Sequence, residues 1–121
     1  MSVRGLPNVL FIHFNDLKAD LAGSIRRVAE FLEIAIDEEN FLRIVEHCGF
    51  DYMKSHAELV TPAGGGQWIG GGKTFINRGT NGRWHDALRQ EDVEAYDNRA
   101  LAELGTACAA WLAHGGPIPP V

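Results

Sequence analysis

The stretch NVLFIHF, residues Asn8–Phe14, decides the fold that the sequence predicts. It is a continuous apolar run rich in Val, Ile and Phe, and it is too short for a solitary helix. Runs of this kind are typical of strands buried on both faces of a sheet. A lone strand cannot satisfy its own backbone N–H and C=O groups, and we find no second strand pattern in the sequence. We therefore predict one core strand that pairs with a second copy of the chain or with a missing N-terminal part.

Helical periodicity dominates the rest of the chain. Apolar side chains recur at helical spacing in four segments, which are Asp16–Ile34, Ile36–His56, Arg89–Gly105 and Thr106–Gly116. Asp16 or Asp20 can cap the first helix and Asp37 the second, because an aspartate side chain accepts hydrogen bonds from N–H groups of the first turn. Gly49 stands where the second helix should end. The predicted fold class is therefore α/β, mostly helical with one core strand.

Composition and charge narrow the classes of function. The chain has 121 residues, which fits one domain, and a net charge of −5, which argues against a general nucleic-acid or membrane binder. We find no apolar run of membrane-spanning length and no leader with a cleavage site, so we predict a cytoplasmic protein. Cys48 and Cys108 fit no metal or disulfide pattern and are predicted to be buried reduced thiols. The five histidines show no metal spacing, so no metal is expected.

Positive charge is concentrated in Lys73–Arg89, inside a glycine-rich loop. This basic stretch holds four cations and one acid, a charge of +3, so the rest of the chain carries −8. An arginine beside a glycine suits a phosphate or sulfate, because the guanidinium fork binds two oxygens and the backbone N–H groups can approach. The alternative is a solvated loop. A P-loop nucleotide hydrolase is disfavoured, because Gln67 stands where the Walker pattern ending in Gly72-Lys73-Thr74 requires glycine.

Three ordered segments carry a resemblance to a known family. They are NVLFIHFNDLKADLAGSIRRVAEFL from Asn8, VEHCGFDYMK from Val45 and FINRGTNGRW from Phe75. Together they resemble the C-terminal part of the sulfotransferase family, over roughly Leu6–His114. This family transfers a sulfonate from 3′-phosphoadenosine-5′-phosphosulfate (PAPS) to an acceptor hydroxyl or amine. The resemblance implies an α/β fold related to the P-loop kinases.

The family element F-x-R-K-G-x-x-G-x-W closes over the cofactor and grips its 3′-phosphate. Matched to this sequence, the resemblance implies that Asn77, Arg78 and Gly79 lie at the phosphate. Its framework positions are Phe75, Gly82 and Trp84. Asn77 keeps an amide donor but brings no charge, so Arg78 would be the main cation.

A second family element, H-T-S-F-x-x-M, lies near the adenine and matches His47–Met53. The resemblance implies that Phe50 and Met53 offer a ring edge and a soft sulfur to the base. Cys48 and Gly49 replace the hydroxyl residues of the family pattern. The remaining predicted cofactor contact is Phe14, which stands at the tyrosine of a Y-E-D element but lacks the hydroxyl.

Other family elements have no counterpart in this sequence. These are the lysine-bearing 5′-phosphosulfate loop, the base histidine, and an arginine and serine for the 3′-phosphate. A dimerisation pattern keeps only Glu94, so that dimer is not predicted.

We expect residues 1–121 to be the C-terminal portion of a single sulfotransferase domain that binds PAPS or adenosine 3′,5′-bisphosphate and serves a small-molecule acceptor. The chain would carry no catalytic residue and would be inactive alone. The alternative is a non-catalytic, truncated interaction module.

Overall fold

Helices are the only regular secondary structure in residues 3–120, which are the residues described by the computed structural model. The α-helices are α1 Phe14–Ala19, α2 Leu21–Phe31, α3 Glu38–Cys48, α4 Phe50–Ser55, α5 Ala57–Val60, α6 Gly72–Phe75 and α7 Gln90–His114. Two 3-10 turns, Pro62–Gly65 and Arg83–Asp86, complete the set. The chain divides into two compact units. The central unit is Ile25–Thr80, and the terminal unit comprises the residues up to Ser24 and from Asn81 onward.

The predicted core strand is wrong. Throughout residues 3–120 no strand is formed, so the run at Asn8–Phe14 has no ladder partner for its backbone groups. The run is instead non-helical as far as His13, which caps α1 by accepting a hydrogen bond from the N–H of Asn15 at 3.1 Å. Phe11 packs edge-on against Trp111 of α7, with ring centroids 6.1 Å apart. The apolar run therefore packs against a helix rather than inside a sheet, and the predicted α/β class is corrected to helical for the described residues.

The predicted helix ends are largely confirmed. Asp37 caps α3 by accepting from the N–H of Asn40 at 2.9 Å, and Gly49 ends that helix. The first predicted helix is broken into α1 and α2 at Asp20, whose carboxylate accepts from the N–H of Gly23 at 2.8 Å. α7 is interrupted at Gly105, where φ is 72° and ψ 165°, as the division of the sequence pattern predicted.

Burial of the two cysteines follows the prediction less well. Cys48, the last residue of α3, is exposed, so its predicted burial is wrong. Cys108 is half-buried in the terminal unit, where its sulfur accepts a hydrogen bond from Nη1 of Arg4 at 2.7 Å. Both thiols are free.

The glycine-rich segment of the central unit is folded onto α5. Ala57 is 1% exposed and Thr61 is 5% exposed, and the Thr61 hydroxyl donates to the Ala57 carbonyl at 2.5 Å. Gly72 is buried against them, because a Cβ at this position would lie 2.7 Å from both of these oxygens. This close approach seats α6 on α5 and fixes where the chain leaves toward residues 76–79.

Candidate functional site

Most of the predicted cofactor residues belong to the central unit. Cys48, Gly49, Phe50 and Met53 lie around the junction of α3 and α4, and Asn77, Arg78 and Gly79 follow α6. Phe14 belongs to the terminal unit. The candidate site in the central unit therefore consists of α4 and the 77–79 segment, a grouping we call the α4–loop site.

The α3–α4 junction is made by one glycine. Gly49 ends α3 and begins α4 with φ −66° and ψ 144°, and it caps neither helix with a side chain. A Cβ at Gly49 would lie 3.0 Å from the carbonyl oxygen of Glu46, so a larger residue would crowd the turn. The tight turn sets Phe50 as the first residue of α4, where it and Met53 are half-buried while Cys48 is exposed.

Gly79 brings the loop onto the ring of Phe50. A Cβ on Gly79 would lie 2.5 Å from Cδ2 and 2.7 Å from Cε2 of that ring. Gly79 also has φ 59°, a left-handed conformation that side chains strain. Both features require glycine here, and they bring the loop of the first sequence motif against the helix of the second.

Lys54 holds the other side of the same loop. Its ammonium donates a hydrogen bond to the backbone carbonyl of Asn77 and lies 5.5 Å from the centroid of the Phe50 ring. Phe50 and Lys54 are four residues apart in α4, so they lie on one face of that helix. Lys54 stands outside the matched motif positions, although its spacing from Phe50 was a signal that could have identified it.

Arg78 lies between these two anchored residues. Its side chain is exposed, and among residues 3–120 no carboxylate lies within ion-pair distance of it. Asn77 is also exposed. The α4–loop site thus presents a guanidinium and an amide on a loop whose backbone is held from both sides, a donor set suited to a small anion.

The other cations of the basic stretch are placed differently. Lys73 is exposed in α6 of the central unit, whereas Arg83 and Arg89 belong to the terminal unit. Arg89 forms ion pairs with Glu91 at 2.6 Å and Asp92 at 3.1 Å at the start of α7. The charge that the sequence concentrates is therefore divided between the two units, and part of it serves a helix end.

The framework positions of the loop element are also divided. Phe75 packs against Trp68 in the central unit, with ring centroids 4.5 Å apart. Trp84 stacks on its neighbour His85 at 3.6 Å and stays 45% exposed. Gly82 precedes the 3-10 turn with φ 78°, a conformation that favours glycine.

Residues 72–74, which match the end of the Walker pattern, have a structural role. Gly72 is packed against α5, and Lys73 and Thr74 lie in the single turn of α6. A phosphate-binding P-loop needs its glycine N–H groups open to the ligand. Burial of Gly72 gives no support to the hydrolase interpretation.

The opposite face of α4 carries an aromatic stack. Tyr52 lies between His47 and His56, with ring centroids 4.3 Å and 4.0 Å apart. His56 is further fixed by the Ser55 hydroxyl at 3.0 Å from its Nδ1. This stack joins the end of α3 to the end of α4 and so stiffens the helix from which Phe50 and Lys54 reach the loop.

Residues 3–120 contain neither a metal-binding cluster nor a membrane-spanning helix. No group of three or more His, Cys, Asp or Glu side chains is arranged to hold a metal ion. Among the helices described there, none combines the length and apolarity needed to cross a membrane.

Comparisons with known proteins agree with these motifs. The profile of the sulfotransferase domain matches residues 1–106. A glycolipid sulfotransferase of Mycobacterium bovis is 32% identical over 114 residues, covering 93% of this chain and 34% of that protein. Sulfotransferase 2A6 of Rattus norvegicus is 26% identical over 106 residues, covering 80% of this chain and 34% of that protein.

A plant relative gives the same result. Cytosolic sulfotransferase 12 of Arabidopsis thaliana is 34% identical over 96 residues, covering 75% of this chain and 28% of that protein. The chain thus spans about a third of the length of the curated relatives it matches. No solved structure matches it significantly. Because the family profile covers most of the sequence, the chain belongs to the sulfotransferase domain family.

Proposed function

We propose that this chain is part of a PAPS-dependent sulfotransferase and supplies the 3′-phosphate and adenine side of its cofactor site. The observation that carries the proposal is the seating of Gly79 on Phe50. It unites a loop matched to the family's phosphate element with a helix matched to its adenine element. The proposal treats residues 1–121 as one portion of a single cytoplasmic sulfotransferase domain, paired in the active enzyme with the portion that binds the 5′-phosphosulfate.

The residues present fit the nucleotide in their chemistry. A 3′-phosphate needs a cation and N–H donors, which Arg78 and the Asn77 amide offer on the exposed side of the loop. An adenine needs apolar and aromatic surface, which the half-buried side chains of Phe50 and Met53 offer. Phe14, Cys48 and Gly49 are proposed as further cofactor contacts on the family pattern alone.

In this proposal the chain binds the nucleotide, and groups outside the chain carry out the sulfonate transfer. PAPS supplies the sulfonate that passes to the hydroxyl or amine of a small acceptor. In-line positioning, a base for the acceptor and cations on the leaving phosphate are needed for that step. We assign none of them to residues of this chain, and its own groups bind and orient the nucleotide. Sulfonate turnover by the purified chain alone would contradict this assignment.

The test replaces Arg78 by Ala. Its guanidinium would be the main charge on the 3′-phosphate, so the affinity for adenosine 3′,5′-bisphosphate should fall by about 1.5–3 kcal/mol. Adenosine 5′-monophosphate lacks the 3′ group, so its affinity should stay unchanged. Titration calorimetry on the full-length protein, or with the missing portion added in trans, measures both. Asn77→Arg should strengthen binding of the bisphosphate by restoring a charge.

Arg83→Ala is the matched control, because it removes an exposed arginine that the family pattern does not place on the phosphate. Equal losses from Arg78→Ala and Arg83→Ala, for both nucleotides, would mean a diffuse basic surface and no clamp. Failure to bind either nucleotide would favour a non-catalytic interaction module. Ile69 at 99% and Leu59 at 82% exposure offer such a module apolar surface in the central unit.

A further inference from the structure

We infer that Lys54 is a positioning residue for the proposed 3′-phosphate site, an inference that rests on the proposed function. α4 is six residues long, and Phe50 and Lys54 share one of its faces. The Lys54 ammonium donates to the carbonyl of Asn77, and the Phe50 ring receives the backbone of Gly79. The same short helix therefore holds the residues on both sides of Arg78.

This arrangement restricts the backbone conformations that Arg78 can adopt before a ligand binds. With its flanking residues fixed, the backbone of Arg78 is ordered in advance, and only side-chain rotamers remain to be chosen on binding. Ordering a loop in its bound conformation raises affinity by removing an entropic cost from the binding step. Lys54 thus acts through the loop, and its charge is directed at a backbone carbonyl and an aromatic face.

The hydrogen bond from Lys54 is of the stronger kind. Its donor is an ammonium, and bonds with an ionised partner are stronger than those between neutral groups. Lys54 is half-buried, and its bond to the exposed Asn77 lies at the surface. Removing the ammonium should therefore release the Asn77 side of the loop, while the Gly79 side keeps its contact with Phe50.

The first test uses limited trypsin digestion of the protein without nucleotide. Cleavage after Arg78 requires the loop to open, so its rate reports how firmly the loop is held. Lys54→Met removes the ammonium and keeps an apolar chain of similar length, and it should speed this cleavage roughly tenfold. Lys54→Arg should restore slow cleavage. Lys73→Met is the matched control, since it removes an exposed lysine of the same unit and should leave the rate unchanged.

The second test measures nucleotide binding by the same variants in the full-length protein. Lys54→Met should weaken adenosine 3′,5′-bisphosphate binding about five- to tenfold and leave adenosine 5′-monophosphate unaffected, because only the former uses the positioned Arg78. Lys54→Arg should recover most of the loss. A purely structural role would weaken both nucleotides alike, and that result would overturn the inference.

The outcomes separate this inference from the proposed function. If the unmodified protein does not prefer the 3′,5′-bisphosphate, the proposed function fails, and so does the inferred positioning of a phosphate site. If Arg78→Ala loses that preference while Lys54→Met keeps it and is cleaved at the unmodified rate, the inference alone is wrong. Arg43 lies in α3, outside the loop, so faster cleavage after Arg43 in Lys54→Met would indicate general unfolding of the variant. Lys54→Gln is then tested in its place. It should speed cleavage after Arg78 only, and an unchanged rate of cleavage after Arg78 would contradict the inference.

Discussion

The polar side chains next to Phe14 in the terminal unit form hydrogen bonds with the end of α7, whereas Arg78 in the central unit keeps its charged side chain unpaired within residues 3–120. No carboxylate among these residues lies within ion-pair distance of Arg78. His13 donates from Nε2 to the Leu112 carbonyl at 2.9 Å, and Asn15 donates to the His114 carbonyl at 3.2 Å. These carbonyls belong to the last turn of a helix, which leaves them without intrahelical partners.

Asp16 completes the arrangement in the terminal unit. Its carboxylate accepts from the N–H of Gly116 at 3.0 and 2.9 Å, just beyond the end of α7. Phe14 itself is 52% exposed and is the first residue of α1. Two residues matched to family motifs thus differ in what their neighbours bind. Around Phe14 the polar groups stabilise a helix end, while around Arg78 the helix α4 holds the backbone and leaves the charged side chain available.

The largest expected effect comes from Gly79→Ala, which disrupts the contact between the 77–79 segment and α4. The added Cβ would lie 2.5 Å from the Phe50 ring and would also strain a residue with φ 59°. We expect a loss of about 2–4 kcal/mol in unfolding free energy, or displacement of the loop with loss of bisphosphate binding. Thermal or urea unfolding and calorimetry measure the two results.

Gly64→Ala is the matched control for that change. Gly64 lies in the same unit with φ 61°, but a Cβ there would meet only the Glu58 carbonyl at 3.5 Å, an ordinary contact. It should cost about 1–2 kcal/mol, the conformational strain alone. If both alanine variants lose the same stability and both keep nucleotide binding, Gly79 does not seat the loop on Phe50.

A smaller effect is expected from Gly115→Ala in the terminal unit. A Cβ on Gly115 would lie 2.7 Å from Oδ1 of Asp16 and 2.9 Å from Nδ1 of His13, within the group that closes α7. Gly116→Ala is the control, because Gly116 also has positive φ, 89°, but has nothing within 4 Å of the added atom.

Both side chains next to Gly115 can shift, so the difference between these two variants should be about 0.5–1.5 kcal/mol in unfolding free energy. Nucleotide affinity should not change, because this cluster closes a helix. A loss of bisphosphate affinity in Gly115→Ala, with stability unchanged, would give the polar groups of His13 and Asp16 a binding role beside the proposed contact of Phe14, and it would remove the contrast between the units.

Features set by local chemistry could be predicted from the sequence. Asp37, Gly49 and Gly105 act within a few residues of their own helix ends, so their roles follow from residue type and spacing. The strand at Asn8–Phe14 could not be predicted reliably in this way. An apolar run forms a strand only if another strand pairs with it, and that depends on the whole chain.

The candidate site shows the same limit. Motif matching selected Phe50 and Gly79, and the structure brings them together. Lys54 lies outside those motif positions, and its partner is a backbone carbonyl. Every residue has a backbone carbonyl, so the sequence does not indicate which one Lys54 will bind. Exposure of Cys48 was also beyond local reasoning, because it depends on which face of α3 is covered.

Replacing Asp37 has the smallest expected effect. It tests whether the central unit also contains a polar side chain whose role is purely structural. The backbone N–H of Asn40, assisted by its side-chain amide, lowers the pKa of Asp37 below its ordinary value of 3.8. A lowered folded-state pKa means that the cap stabilises the protein above the ordinary pKa and that this stability is lost as the pH falls through the folded value.

Asp37→Ala should therefore lower the thermal midpoint at neutral pH by less than either Gly79→Ala or Gly115→Ala, and the difference from the unmodified protein should shrink toward pH 3. Asp37→Asn keeps a capping oxygen without the charge, so it should lie close to the unmodified protein at neutral pH and lose less stability on acidification. Thermal unfolding followed at several pH values measures this, with Asp97→Ala as a control acid that lies in α7 beyond its first turn. Binding of adenosine 3′,5′-bisphosphate should be the same in all of these variants. A binding loss in Asp37→Ala comparable with that of Arg78→Ala would mean that nucleotide affinity follows the stability of the central unit as a whole rather than the charge of Arg78.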